Sequence, residues 1–112
     1  MSGRLDSVFK SGGEKVSCRL IEETIRDSGE FADAASDVVV TESPDHFLGK
    51  VARVYYVPKD DGSDALKAIK RTLKSQLPKS HIPREYVPVR EIERSPSGKV
   101  VRQSLGAEKN RL

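Results

Sequence analysis

Cysteine, tryptophan and histidine are scarce in this sequence. Its 112 residues include one cysteine, Cys18, two histidines, His46 and His81, and no tryptophan. A single cysteine cannot close a disulfide within the chain, and histidines 35 positions apart with no spaced cysteine do not form a zinc motif. Cys18 falls at a predicted helix start and neither histidine has an evident relation to it. We therefore expect a structural thiol, no metal site and no cysteine nucleophile.

Long apolar runs and aromatic clusters are missing as well. No stretch approaches the roughly 20 apolar residues that cross a bilayer, and residues 1–10, MSGRLDSVFK, lack the apolar segment of a signal peptide. Aromatic residues make up 5% of the chain, which argues against a platform that stacks bases. These absences predict a cytoplasmic protein with no membrane span and no nucleic-acid partner.

The length and the charge fit one small domain with a mixed surface. With 36% hydrophobic and 33% charged residues, 112 positions allow one modest core. The net charge is +3, and acids alternate with bases except in the basic stretches 67–74 and 99–111, which could face an anion or water. A small basic nucleic-acid-binding module is therefore an alternative, which a steep salt dependence of binding would favour and the near balance of charges disfavours.

Turn residues and apolar spacing predict the first half of the fold. Residues 3–16 indicate a hairpin around Gly12 and Gly13, and these glycines could equally permit close approach of a ligand. Ser17 is placed to cap a helix that Gly29 would end. The β-branched and aromatic runs 33–42 and 50–59, separated by a turn, then predict an antiparallel pair of strands.

The second half of the chain predicts two more helices and a third strand. Apolar residues at helical spacing over 64–77, followed by Pro78, indicate an amphipathic helix. A strand follows within 82–92, where Pro88 marks an edge or a bend, and a short helix covers 100–105. The expected fold class is α+β, a small domain with a three-stranded antiparallel sheet flanked by helices and preceded by a β-hairpin.

Lys99 is the residue whose position raises a functional question. It follows Pro96 and Gly98 in the stretch 94–105, RSPSGKVVRQSL, where the loop tip can be extended. A lysine there can reach an anion about 6 Å from its backbone, or it can be an exposed turn residue without a ligand. Loop chemistry alone leaves both interpretations open.

Four segments, in order, resemble the C-terminal domain of adenylate-forming enzymes, the superfamily of acyl-CoA synthetases, peptide-synthetase adenylation domains and luciferases. Residues 3–22, GRLDSVFKSGGEKVSCRLIE, resemble the hinge motif that opens that domain, and RSPSGKVVRQSL resembles the motif that closes it. Between them, 32–59 and 73–92 are similar to two further family stretches. The resemblance covers nearly the whole chain.

The resemblance implies an acid–thiol ligase reaction in two steps. In the family, a carboxylic acid and MgATP form an acyl-adenylate and pyrophosphate, and a thiol, usually that of coenzyme A, then displaces AMP. Lys99 matches the lysine that enters the active site for the first step, and Asp6 matches the hinge about which the domain rotates. Arg4 matches a residue on the ribose side of the nucleotide, and Lys15 stands where some members place an arginine near the phosphate.

The double glycine matches the surface that serves the second step. Gly13, with Gly12 and Glu14 beside it, falls where the family brings its backbone close to the channel of the pantetheine thiol. Residues 8–17, VFKSGGEKVS, are similar to acyl- and aryl-CoA ligases, which favours coenzyme A over the phosphopantetheine of a carrier protein. Ser7, where many members have a second Asp, departs from the pattern.

The same resemblance defines what this chain would need from a partner. Residues 1–112 correspond to the mobile C-terminal domain alone, and the N-terminal domain that holds ATP and the acid is missing from the sequence. We expect no cofactor bound by this chain alone, ATP, magnesium and coenzyme A as ligands of the complete enzyme, and no activity without the adenylating domain, in cis or in trans. The chain could be a piece of a ligase, a split subunit, a stand-alone relic, or a docking domain without catalytic use.

Overall fold

The computed structural model describes residues 8–59 and 63–112, apart from the side chains of Ser63 and Arg102. Its first element is the predicted hairpin, in which β1 (Val8–Ser11) pairs antiparallel with β2 (Glu14–Ser17). The two residues of the turn both have positive φ, 57° at Gly12 and 88° at Gly13. A two-residue turn that matches the twist of its strands needs this geometry, and glycine adopts it without steric cost.

Two helices follow the hairpin where the sequence predicted one. The hydroxyl of Ser17 accepts a hydrogen bond from the Leu20 N–H at 3.1 Å and begins α1 (Cys18–Arg26). Helix α1 ends before Gly29, as predicted, but Asp27 and not Gly29 is its C-cap, and Ser28 caps a further helix, α2 (Gly29–Ala34), by accepting from the Phe31 N–H at 3.2 Å. A serine at that place starts a helix, so the glycine lies inside the next one.

The two long strands form the predicted antiparallel pair. Strand β3 (Ala35–Asp45) and strand β4 (Gly49–Pro58) are joined by a tight turn, where Gly49 has a φ of 86°. Near its start β3 carries a bulge, since the register shifts between Ala35 and Asp37. The amphipathic helix α3 (Ser63–Gln76) then ends before Pro78, as predicted.

The third strand corrects the predicted sheet. Strand β5 (Glu85–Pro88) pairs parallel with β4, so the sheet has the order β3-β4-β5 and is mixed, not antiparallel throughout. The reason is the position of α3 between β4 and β5. Parallel neighbours need a crossover of a dozen or more residues, usually a helix, whereas antiparallel neighbours can be joined by a short turn. Pro88 lies on an edge strand, as predicted.

Hydrophobic clusters cover both faces of this sheet. On one face α1, α2 and α3 pack against alternate sheet residues; buried members include Ile21, Ile25, Phe31, Val38, Val54, Ile69 and Leu73. The other face is covered by the C-terminal part of the chain, including α4 (Arg102–Leu105), in a smaller cluster of Val39, Tyr55, Val89, Ile92 and Leu105. The buried Asn110 fastens this part, because its side chain accepts from the Glu91 N–H and donates to the Glu91 and Ser104 carbonyls.

We predict that Ile69→Ala lowers the free energy of unfolding by about 2–5 kcal/mol, because Ile69 is fully buried in the larger cluster and truncation leaves a cavity. Chemical denaturation of the 112-residue chain measures this change. The control is Lys67→Ala, an exposed position on the same helix, which should stay within about 0.5 kcal/mol. Equal effects of the two substitutions would contradict the assigned core.

Candidate functional site

The turn of the first hairpin is held against the turn between β3 and β4. The Gly12 N–H donates to the Leu48 carbonyl at 3.0 Å, and a Cβ placed on Gly12 would lie 2.9 Å from Leu48 Cδ2. A Cβ on Gly13 would meet nothing within 4 Å. The two glycines therefore differ in their surroundings, since Gly12 packs against the chain itself and Gly13 leaves open space beside its backbone.

Two lysines stand opposite each other on the exposed side of this hairpin. Lys10 of β1 pairs in register with Lys15 of β2, and both side chains are exposed. Like charges directly across a strand pair repel each other. Neither ammonium has a hydrogen-bond or ion-pair partner among residues 8–59 and 63–112, and the pair places two positive charges on this side of the hairpin, close to Gly13.

Lys99 lies on a closed turn, where the sequence had suggested a loop with an extended tip. The Ser95 N–H donates to the Lys99 carbonyl at 2.7 Å, and the Gly98 N–H donates to the Ser95 carbonyl at 2.8 Å. A β-bridge joins Arg94 to Val100 below the turn, and Gly98 allows it with a φ of 90°. The Lys99 side chain is exposed, and its ammonium has no partner in the part of the chain that is described.

An ion pair fastens the base of the lysine turn to the sheet. Both Nη atoms of Arg94 donate to the carboxylate of Asp37, and Arg26 of α1 donates to Asp37 Oδ1 from Nη2 at 3.1 Å. Partial burial would raise the pKa of Asp37. The hydrogen bonds from Arg94 and from the Val38 N–H, with the charge of Arg94, outweigh it and hold the pKa below its ordinary value. Asp37 is therefore a carboxylate at neutral pH.

The Lys99 turn and the Gly12–Gly13 turn are tied to opposite ends of β3. Arg94 contacts Asp37 near the start of that strand, whereas Gly12 bonds to Leu48, just beyond its end at Asp45. The eight steps from Asp37 to Asp45 span about 26 Å at roughly 3.3 Å per residue. This is a large part of the longest dimension of the domain, 36 Å.

Of the other predicted site residues, two lie beside the glycine turn and two are outside the described part of the chain. Glu14 and Lys15 follow the glycine turn on β2 and are exposed, so they accompany Gly12 and Gly13 at one end of the domain. The predicted hinge and nucleotide residues, Asp6 and Arg4, lie outside the described residues. Among the described residues, no three potential metal-ligating side chains lie together, and no helix is long and apolar enough to cross a membrane.

Sequence reasoning did not find Asp37, Arg94 or Arg26. Asp37 and Arg94 are 57 positions apart, and charged residues are a third of the chain, so no local pattern could pair them. One weak signal was present. Asp37 interrupts the start of a β-branched run, at the position where the bulge occurs, and bulges re-aim side chains.

Comparison with known proteins identifies the family. A family model described as the AMP-binding enzyme C-terminal domain matches residues 20–99, so the match reaches Lys99. This chain is an AMP-binding enzyme C-terminal domain. The resemblance drawn from the sequence is thereby confirmed.

The relatives of this AMP-binding enzyme C-terminal domain are ligases of much greater length. It is 27% identical over 108 residues to acetyl-coenzyme A synthetase 2-like, mitochondrial, of Homo sapiens, covering 94% of this chain and 15% of that protein. It is 30% identical over 107 residues to the D-alanine–D-alanyl carrier protein ligase of Staphylococcus aureus (strain JH9), covering 94% of this chain and 21% of that protein. The solved Mycobacterium tuberculosis fatty acyl CoA synthetase matches with a TM-score of 0.72 at 26% identity, over 88% of this chain and 18% of that one.

We predict that Gly12→Ala destabilises the domain more than Gly13→Ala, although both residues have positive φ. Alanine at either position carries backbone strain of about 1–2 kcal/mol, but only at Gly12 does the new methyl meet Leu48. Thermal and denaturant unfolding of the two variants measures the difference. A Gly13→Ala variant as unstable as Gly12→Ala would contradict the open space assigned beside Gly13.

Proposed function

We propose that this domain supplies two alternating surfaces to an AMP-forming acid–thiol ligase. The Lys99 turn would face the acid and ATP in the first half-reaction, and the Gly12–Gly13 turn would face the thiol in the second. Family membership and the geometry of the two turns support this proposal. The acid, the ATP pocket and the ribose-binding groups would belong to an adenylating domain, joined in cis or supplied in trans.

The separation of the two turns is the observation that carries the proposal. They are tied to points about 26 Å apart along β3, whereas a lysine side chain reaches about 6 Å. Reacting atoms must approach within about 3–3.5 Å of each other. Both turns cannot serve one small reacting centre at once, so the domain has to reorient between the half-reactions.

Lys99 has the properties that the adenylation step needs. A carboxylate oxygen bonds to the α-phosphorus of ATP, and the bond from that phosphorus to the bridging oxygen breaks, releasing pyrophosphate. The two reactants are anions, and an exposed ammonium reduces their repulsion and stabilises the charge that develops. The ammonium of Lys99 has no partner among the described residues, so it can meet these oxygens without first breaking an ion pair.

The glycine turn has the properties that thioester formation needs. In that step the thiol sulfur bonds to the acyl carbon and the bond to AMP breaks, so a slender pantetheine arm must reach the adenylate. Open space beside Gly13 lets the arm pass along the backbone. The lysine pair beside it, Lys10 and Lys15, presents positive charge toward phosphate groups.

The acceptor thiol is proposed to be coenzyme A, on the KSGGE sequence, with a carrier-protein phosphopantetheine as the alternative. Both acceptors end in the same pantetheine arm, which the Gly13 surface fits equally well. Magnesium is proposed to be held by ATP and the adenylating domain. A cytoplasmic location stays a prediction.

The test uses a hybrid ligase, in which this chain replaces the matched C-terminal segment of the Staphylococcus aureus D-alanine–D-alanyl carrier protein ligase. Lys99→Ala should lower D-alanine-dependent pyrophosphate formation by about 10²–10³-fold, because a charge-stabilising group is lost. Transfer from preformed D-alanyl-adenylate to the carrier protein should stay within about twofold. Gly13→Ala should leave pyrophosphate formation within about twofold and lower the transfer to the carrier protein.

Two controls accompany this test. Lys74→Ala removes an exposed lysine of α3 and should change neither step. The chain alone, given ATP, magnesium and D-alanine, should release no pyrophosphate. Equal loss of both steps in Lys99→Ala would contradict the proposal. So would a wild-type hybrid no faster than the ligase lacking this domain, or pyrophosphate release by the chain alone that Lys99→Ala abolishes.

A further inference from the structure

We propose that Asp37 is a positioning residue for Lys99, acting through Arg94 at the base of the lysine turn. This inference rests on the proposed function, because it assumes that Lys99 takes part in adenylation. Neither Asp37 nor Arg94 has a predicted role, and Asp37 lies on β3, far along the chain from the lysine turn.

The contact between Asp37 and Arg94 fixes direction as well as distance. Arg94 donates from Nη1 to Oδ2 and from Nη2 to Oδ1, the latter at 3.2 Å, so two parallel hydrogen bonds hold the planar guanidinium. The Asp37 side chain is 21% exposed and that of Arg94 34%, so the pair is more shielded than the exposed Arg19–Glu23 pair of α1, at 59% and 56%. Such a pair holds a defined geometry better than a freely solvated one.

Asp37 is itself held from other directions. Arg26 Nη2 donates to Asp37 Oδ1 at 3.1 Å and to the Val38 carbonyl at 2.6 Å, which joins α1 to the edge of the sheet. The Val38 N–H also donates to Asp37 Oδ1, at 2.8 Å. The adjacent bulge on β3 and these contacts give the carboxylate one orientation.

Arg94 connects the fixed Asp37 carboxylate to the turn that carries Lys99. Below the turn, Arg94 bridges to Val100 and the Val101 N–H donates to the Glu93 carbonyl at 2.8 Å. Within the described part of the chain, the hydrogen bonds of residues 95–99 all stay inside the turn. The Asp37–Arg94 contact is therefore a direct polar link, among the described residues, between the base of this turn and the central sheet.

Loss of that link should leave the turn intact and let it pivot. A misplacement of about 1 Å at a reacting group can cost about 10²-fold in rate. The Gly12–Gly13 turn, tied to the other end of β3, should be unaffected. A selective loss of adenylation distinguishes positioning from general destabilisation.

The experiment is a double-mutant cycle in the hybrid ligase. Asp37→Asn and Arg94→Gln should each lower D-alanine-dependent pyrophosphate formation by about 10–100-fold, and the double variant should be no slower than the slower single variant. Transfer to the carrier protein should stay within about twofold. Arg94→Lys keeps the positive charge but loses the paired hydrogen bonds of the guanidinium. Its rate of pyrophosphate formation should lie between those of wild type and Arg94→Gln.

A second measurement needs no ligase. In the 112-residue chain, backbone ¹⁵N relaxation should show larger motion of residues 95–99 in Asp37→Asn and Arg94→Gln, with residues 12–13 unchanged. The matched control is Glu42→Gln, at another β3 position, which removes the charge that pairs with Lys50 of β4 at 3.1 Å and should alter neither the motion of residues 95–99 nor either half-reaction. If Asp37→Asn fails to fold, Arg94→Gln alone is used for both the kinetic and the relaxation measurements.

The outcomes separate this inference from the proposed function. If Lys99→Ala leaves adenylation intact, the proposed function is wrong and the positioning role falls with it. If Lys99→Ala abolishes adenylation while Asp37→Asn and Arg94→Gln retain wild-type adenylation and wild-type motion of residues 95–99, only the positioning role is wrong. Equal losses in both half-reactions would show a merely structural ion pair and also overturn it.

Discussion

The antiparallel pairing of β3 with β4 sets the distances on which the rest of the domain depends. Ten paired positions run from Ala35 and Pro58 at one end to Asp45 and Gly49 at the other. Arg94 contacts Asp37 near the start of β3, and Gly12 bonds to Leu48 just beyond the end of that strand. The ladder therefore holds two turns of different chemistry apart, in one fixed relation.

Packing on both faces of the sheet makes this relation rigid. The three larger helices cover one face and the C-terminal part of the chain covers the other, with β5 joined in parallel through the α3 crossover. Close-packed interiors resist continuous deformation, so a movement of the domain relative to a partner carries both turns together. In the proposed function, bringing one turn to the reacting centre would withdraw the other, and a rigid body would thereby order the two half-reactions.

The sequence predicted most elements because their signals are local. Glycines at the hairpin turn, Ser17 as a helix cap, and apolar spacing along α3 each act within a few residues. Two predictions were wrong because they depended on residues outside the local pattern. Gly29, expected to end the first helix, is the first residue of α2, which Ser28 caps, and the parallel pairing of β5 followed from the position of a crossover helix.

The candidate site divides in the same way. Lys99 and Gly13 were found because each sits in a short motif, and the resemblance gave them roles that remain predictions. The ion pair between Asp37 and Arg94 could not be predicted, because it joins residues that are 57 positions apart in the sequence. A short motif identifies a candidate site residue, whereas the placement of that residue depends on contacts that exist only once the sheet and the helices have assembled.

The most direct test of the central claim is a set of distances within the hybrid ligase. Spin labels at Ser97→Cys, Lys10→Cys and one site on the adenylating domain report them by pulsed electron paramagnetic resonance, and Cys18 is buried. With D-alanine and a non-hydrolysable ATP analogue, residue 97 should approach the adenylating domain and residue 10 withdraw. With AMP and the carrier protein the order should reverse, while the distance between residues 97 and 10 stays constant. Approach of both residues together, or a change in their mutual distance, would contradict the account.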